Sequence, residues 1–291
     1  MKRSDALAGY LAGLVAVACW SGFVLVSRIG GQGTLEPADT MALRFMVGAV
    51  CLSPVVIFHR PWFNSRGLAL AMTGGIGYCA FVYAAFQHTT AVHASVLLPG
   101  LIPFASALLA FGVLGDRPSP LRWMGLALIA VGGALMLTNL SAQSDLLGDV
   151  YLILSVSCWA LYTVLAKRWR ISAWQATTTV AYGCAALFLP FYFLGFESKL
   201  LDAPWQELLL QGFYQGVIAV VVAMIFYMKA VERIGPARMG AMMALVPTVS
   251  GLAAVPILGE VLSYQALAAI VITTLGALLA TGLVAEWRRA R

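Results

Sequence analysis

The sequence predicts an all-α integral membrane protein: ten transmembrane helices forming two inverted five-helix repeats, with both termini cytoplasmic. Three observations carry this. The chain of 291 residues is 61% hydrophobic and only 10% charged, with mean hydropathy +0.89, whereas a soluble domain carries about 25% charged residues. Its Lys and Arg residues fall on alternate loops, and its two halves match each other at near-constant offsets.

Taken in order, the apolar runs span 8–27, 40–58, 67–87, 93–114, 121–138, 148–166, 174–194, 208–228, 237–258 and 264–284. Each is close to the ~20 residues that cross a ~30 Å hydrocarbon core. A transmembrane barrel would alternate over about 10 residues instead, and no such pattern is present. With the N-terminus cytoplasmic, the inside segments hold Lys2, Arg3, Arg60, Arg66, Arg117, Arg122, Lys167, Arg168, Arg170, Lys229, Arg233, Arg238, Arg288, Arg289 and Arg291, which is 15 of 18. Outside loops hold only Arg28 and Lys199, and Arg44 sits within the second run. That is the positive-inside pattern, so the net charge of +6 reports topology and not nucleic-acid affinity. Cys19, Cys51, Cys79, Cys158 and Cys184 lie inside apolar runs without ligand spacing; they read as small apolar fillers, neither disulfides nor metal ligands. No small-residue cleavage site follows the N-terminal MKRSDALAG, so the first run is expected to be retained.

The repeat is legible in two segments. Leu101 to Asp116 reads LIPFASALLAFGVLGD, and Leu245 to Glu260 reads LVPTVSGLAAVPILGE. At an offset of 144, Tyr83 matches Tyr227, Pro103 matches Pro247, Ser106 matches Ser250, and Gly115-Asp116 matches Gly259-Glu260. Cys19-Trp20 matches Cys158-Trp159 at 139. The halves are 1–140 and 141–291, each with five runs. An odd number makes the second half enter from the opposite side, which places Asp116 inside and Glu260 outside. Inverted repeats characterise secondary transporters, whose site lies near the midplane between the halves.

A proline, a turn of small residues, then LG(D/E) and a glycine-rich helix resembles the EamA-type drug/metabolite transporter superfamily. The pattern occurs twice, as LIPFASALLAFGVLGDRPSPLRWMG and LVPTVSGLAAVPILGEVLSYQAL, and the approach YMKAVERIGPARMGAMMALVP is also similar. The resemblance covers nearly the whole chain and lies closest to the YddG-like amino-acid exporters. It implies ten helices around a central cavity and export of amino acids or related metabolites, aromatic ones among them. It places the chain in a bacterial inner membrane, acting without a cofactor on a small-molecule substrate. Asp116 departs from the pattern, which usually has Glu there.

Candidate transport residues follow the element order. In the first and sixth runs, Trp20 and Trp159 are repeat-related and lie away from the span ends, whereas Trp62, Trp123, Trp169, Trp174, Trp205 and Trp287 form an interfacial belt. Phe23 and Tyr162 follow them by three residues on the same helical face. The two tryptophans read either as core packing or as an aromatic wall. Arg44 in the second run reads either as a bidentate contact for a substrate carboxylate or as a residue that snorkels or pairs with Asp39 or Glu36. The third run offers Tyr78, Phe81 and Tyr83 near glycines 74, 75 and 77, which permit close helix contact, so its aromatics read either as cavity residues or as incidental to tight packing. His88 and His93 flank the third loop and read as surface histidines. Tyr182 in the seventh run and Tyr214 and Gln215 in the eighth need buried partners, so they are expected to face the interior.

The fourth run holds LLPGLIPFAS, with Ser95, Pro99, Gly100 and Pro103 close together, and the ninth holds Pro247 and Pro256. A proline inside a helix removes a backbone hydrogen bond. Pro99 is expected to free the carbonyl of Ser95, and Pro103 that of Pro99, giving a hinge beside the cavity whose carbonyls could accept a substrate ammonium. The alternative is a static kink. The motifs HExxH, GxGD and GxSG, a P-loop and paired intramembrane carboxylates are absent, so no enzyme is expected. With both repeats in one chain, a functional monomer is expected.

Overall fold

A computed structural model describes residues 3–138 and 145–281. Lys2, Trp287, Arg288, Arg289, Arg291 and the repeat boundary at 140/141 lie outside the described residues. Every regular element described is helical: α1 (Arg3–Gly31), α2 (Pro37–Cys51), α3 (Ser53–Val56), α4 (Ser65–His88), α5 (Ala91–Leu114), α6 (Pro120–Leu137), α7 (Leu146–Arg168), α8 (Ala173–Gly195), α9 (Trp205–Ile234), α10 (Pro236–Leu258) and α11 (Tyr264–Ala280). Among the described residues, eight helices are long and apolar enough to cross a membrane, and α11 is a shorter apolar helix of 17 residues. The expected run 40–58 is a correction. Its helix, α2, has 15 residues and ends at Cys51, and α3 follows as a separate turn with Pro54 in its first turn.

The two LG(D/E) motifs do the same job at the ends of α5 and α10. Gly115 (φ 70°) and Gly259 (φ 67°) adopt the left-handed conformation that glycine takes without a Cβ clash. The amides of Gly115 and Asp116 close back on Phe111 and Ala110, and those of Gly259 and Glu260 on Val255 and Ala254. The acid is thereby set down in the loop just past the helix. Ser119 and Ser263 then cap α6 and α11, accepting from the amides of Arg122 and Ala266.

Wide π-type turns interrupt α4 at Met72–Gly77, α5 at Val96–Gly100 and α9 at Tyr214–Val222. Such turns mark functional sites in many helices. The α4 and α9 turns coincide at the 144-residue offset. The helical course also breaks at Leu101 in α5 and at Ala244–Leu245 in α10. This corrects the expectation for Pro103 and Pro247. Each stands in the first turn of a new helical segment, where no backbone N–H is needed. Pro99 is inside its π turn and Pro256 inside α10.

Helix packing is paired. The α1–α9 contact has its counterpart in α7–α4, and α1–α10 in α7–α5. α6 lies along α11 with backbones touching: a methyl on Gly125 would sit 2.5 Å from the Gly276 carbonyl oxygen, and one on Gly276 would sit 2.7 Å from that of Gly125. The large apolar residues Val131, Leu210 and Leu275 point outward, as a lipid-solvated surface requires.

Candidate functional site: a blind central cavity

The helices enclose a cavity of about 840 Å³, within the size range of small-molecule sites. It opens at the end carrying Arg122, Lys167 and Arg170, and its deep lining includes Phe23, Arg44, Phe45, Tyr78 and Leu98. Of the residues singled out from the sequence, Trp20, Tyr78, Pro99, Trp159 and Tyr162 line it, and so do the hinge candidates Pro103 and Pro247. The aromatic residues form one connected wall. Phe23 stacks on Tyr78 at 6.4 Å, Tyr78 meets Trp159 at 4.8 Å, and Trp159 meets Tyr162 at 5.2 Å. Trp20 stands edge-on to Tyr227 at 5.5 Å.

Arg44 lies in the depth of this cavity. Its Nη1 is 3.4 Å from the Tyr83 hydroxyl and 3.3 Å from Gln215 Oε1, and its guanidinium lies 5.6 Å from the Phe23 ring centre. The pairing with Asp39 or Glu36 is not made. Asp39 is fully buried in its own network, accepting from the Tyr192 hydroxyl and from the amides of Glu36 and Lys199. Glu36 accepts from Gln87. Among the described residues no carboxylate lies within ion-pair reach of Arg44, and no Asp or Glu lines the cavity.

Tyr83 and Gln215 sit one layer behind Arg44, outside the cavity lining. Gln215 accepts from Tyr83 at 3.0 Å and donates to Ser27 and Gln211, all fully or nearly fully buried. Beyond this polar layer lies a dimple of about 10 Å³, which Tyr83 also borders. Phe81 stacks on Tyr151, Tyr182 is half-buried away from the lining, and the Tyr214 hydroxyl bonds the Cys19 carbonyl across α1. Ser95 is fully buried, bonded to the Val92 carbonyl and packed against Gly251, so it offers nothing to the cavity. Gly100 packs on Thr273, and Pro256 is absent from the lining.

Buried charges seal the closed end. Glu260 accepts from the amides of Ala91 and Val92, both at 2.8 Å, at the start of α5. Arg28 Nε is 3.5 Å from Glu260, and Arg28 Nη1 donates to the Phe86 carbonyl at 2.9 Å. Beside them His93 Nε2 is 2.6 Å from Asp149, both side chains at most 3% exposed. His93 is therefore a buried residue and not a surface histidine. His88 is half-exposed beside Asp145, whose carboxyl is held below its ordinary range chiefly by the Gly148 amide, with His88 adding to it. At the open end, Lys167 bonds Asp116 in an exposed pair, with side chains 62% and 45% accessible.

The sequence reading missed Arg122, Lys167, Arg170 and Tyr227 as cavity residues and named Phe23 only as a neighbour of Trp20 on one helical face. The repeat offsets held the signal for several of them. Phe23 is the mate of Tyr162, and Lys167 is the mate of Arg28 at the same 139-residue step that links Trp20 to Trp159.

Comparison with known proteins agrees with this geometry. The sequence profile of the EamA-like transporter family matches twice, over residues 7–138 and 146–282. The chain is 27% identical over 265 residues to the uncharacterized transporter YdeK of Bacillus subtilis, covering 87% of this chain and 89% of that one. It is 24% identical over 254 residues to an uncharacterized transporter of Archaeoglobus fulgidus, covering 83% and 86%. A solved crystal structure with 19% sequence identity superposes with a TM-score of 0.65 over 96% of this chain and 98% of that one, which shows a shared fold. The chain is thus a multi-span membrane protein that belongs to the EamA-like transporter family, within the drug/metabolite transporter superfamily.

Proposed function

We propose that the protein is a secondary exporter of amino acids, aromatic and hydrophobic ones above all, or of related small metabolites, working by alternating access through the central cavity. It acts as a monomer of ten spans in a bacterial inner membrane, with both termini cytoplasmic. The halves 1–140 and 141–291 are inverted repeats, a reading supported by the double match of one family profile.

One observation carries the mechanism. The two ends hold repeat-related ion pairs in opposite states. Arg28 and Glu260 are buried at the closed end, 6% and 5% exposed, while their mates Lys167 and Asp116 stand exposed at the open mouth. The same asymmetry separates other mates. Tyr83 is locked in the polar layer while Tyr227 lines the cavity, and Ser250 is fully buried while Ser106 lines it. In the opposite state Asp116 would approach the start of α10, where Pro236, the mate of Val92, has no N–H to offer and the seat is therefore weaker than the one Glu260 has on α5, and the cavity would open past Tyr83. A ligand that binds both states can cross only if each seal is stable enough to close and weak enough to release.

The test is flux in proteoliposomes with labelled aromatic amino acids and their carboxylate analogues, with and without a pH gradient. Saturable counterflow supports the reading, and its absence for every compound removes it. Flux that ignores the gradient assigns facilitated diffusion.

A further inference from the structure

We infer that the cavity selects organic anions, a carboxylate on an aromatic or apolar body, over zwitterions and amines. The inference rests on the cavity being the transport site and, within the proposed range, favours the related carboxylate metabolites over the amino acids themselves. Its ground is the charge inventory of the lining. Arg44 stands in the depth and Arg122, Lys167 and Arg170 at the mouth, while no acidic residue lines the cavity among the described residues. The mouth cations also serve topology, but Arg44 does not. It lies inside the bundle, one guanidinium nitrogen holds Tyr83 and Gln215, and Nε and Nη2 have no partner among the described residues. Those two nitrogens form the edge that a carboxylate binds bidentately.

The rest of the depth suits a neutral ring. Phe23, Tyr78, Trp159 and Tyr162 offer stacking faces. An α-ammonium would fare badly there. With the carboxylate on Arg44, the ammonium of an amino acid lies a few ångströms from the guanidinium with no anion to offset it. Gln215 Oε1, behind the lining, is already engaged by Tyr83 and Arg44. The Ser95 carbonyl, which the sequence reading offered to an ammonium, belongs to a residue fully buried outside the cavity and takes part in the π turn. Removing the ammonium from an aromatic amino acid therefore improves the ligand, and removing the carboxylate destroys it.

The experiment is isothermal titration of the purified full-length protein with three probes of one shape: 3-phenylpropanoate, L-phenylalanine and 2-phenylethylamine. The expected order is 3-phenylpropanoate at least about tenfold tighter than phenylalanine, a ~1.4 kcal/mol preference, with no binding of the amine. Arg44→Gln abolishes the preference, and Arg44→Lys retains part of it. Equal or tighter binding of phenylalanine, measurable binding of the amine, or no binding of any probe overturns the inference, and each can be read on the unmodified chain. Flux separates the two readings. Saturable transport with phenylalanine preferred leaves the exporter standing and removes anion selectivity. Anion-selective binding without flux does the reverse.

Discussion

A side chain in this protein is defined by which end of the cavity it occupies. Trp159 touches Tyr78 and Tyr162 on the cavity wall, and aromatic pairs contribute roughly 0.5–1.5 kcal/mol each beyond area burial. Trp159→Ala should therefore raise the KM for an aromatic substrate by about tenfold and leave that for a small aliphatic one nearly unchanged. Equal effects on both would place Trp159 in the scaffold. At this scale the sequence was a partial guide. Helical spacing and repeat position pointed to Trp20, Tyr78, Trp159 and Tyr162, which border the cavity, because an aromatic residue deep in a span has few other places to go. Ser95 and His93 were misread for one reason. Both lie on the α5 segment that turns toward the closed end, where His93 meets Asp149 and Ser95 meets its own backbone. Spacing within one helix does not reveal which neighbour covers it.

At the scale of the element, the prolines and glycines are the informative residues. Pro103 and Pro247 begin new helical segments after the breaks at Leu101 and Leu245, so alanine in either place restores an N–H that lets the helix run on. The double variant Pro103→Ala/Pro247→Ala should straighten α5 and α10 and slow turnover several-fold while ligand affinity changes little. Turnover equal to the parent would mean that the breaks are static. The expectation that Pro103 frees the Pro99 carbonyl of a running helix was wrong because the π turn at Val96–Gly100 and the break at Leu101 already end the regular ladder before it. A separate prediction concerns α6 and α11. Gly125→Ala drives a methyl to 2.5 Å from the Gly276 carbonyl oxygen and 2.6 Å from the Ala280 amide nitrogen. It should destabilise the protein by about 1–3 kcal/mol, read as a lower melting temperature in detergent. No change would show that this seam can part without cost. The LG(D/E) motifs were legible for the opposite reason, since glycine in the left-handed region followed by a loop acid is a local rule that needs no tertiary context.

For the molecule as a whole, the repeat was written in the sequence but the state was not. Arg28 and Lys167 are mates, as are Glu260 and Asp116, so the sequence supports either end being sealed. On the proposed alternating-access reading, which seal forms depends on small differences between two similar sets of contacts. Three of those contacts converge on Glu260: the amides of Ala91 and Val92, and Arg28. Hydrogen bonds to a charged group contribute roughly 1.5–3 kcal/mol each. Glu260→Gln keeps the shape and removes the charge, so it should weaken the closed end by enough to shift the two-state ratio about tenfold or more. Asp116→Asn should leave the present state unaffected, because its exposed bond to Lys167 seals nothing and contributes little. The two variants separate by double electron–electron resonance with spin labels at Gln87 and Val261, which flank the seal, in a chain whose native cysteines are replaced. A longer distance population in the Glu260 variant alone fits a latch whose mates act in turn. Growth of that population in both variants, or in neither, would break the link between the ion pairs and access, and the exposed Lys167–Asp116 pair would then be a surface contact like any other.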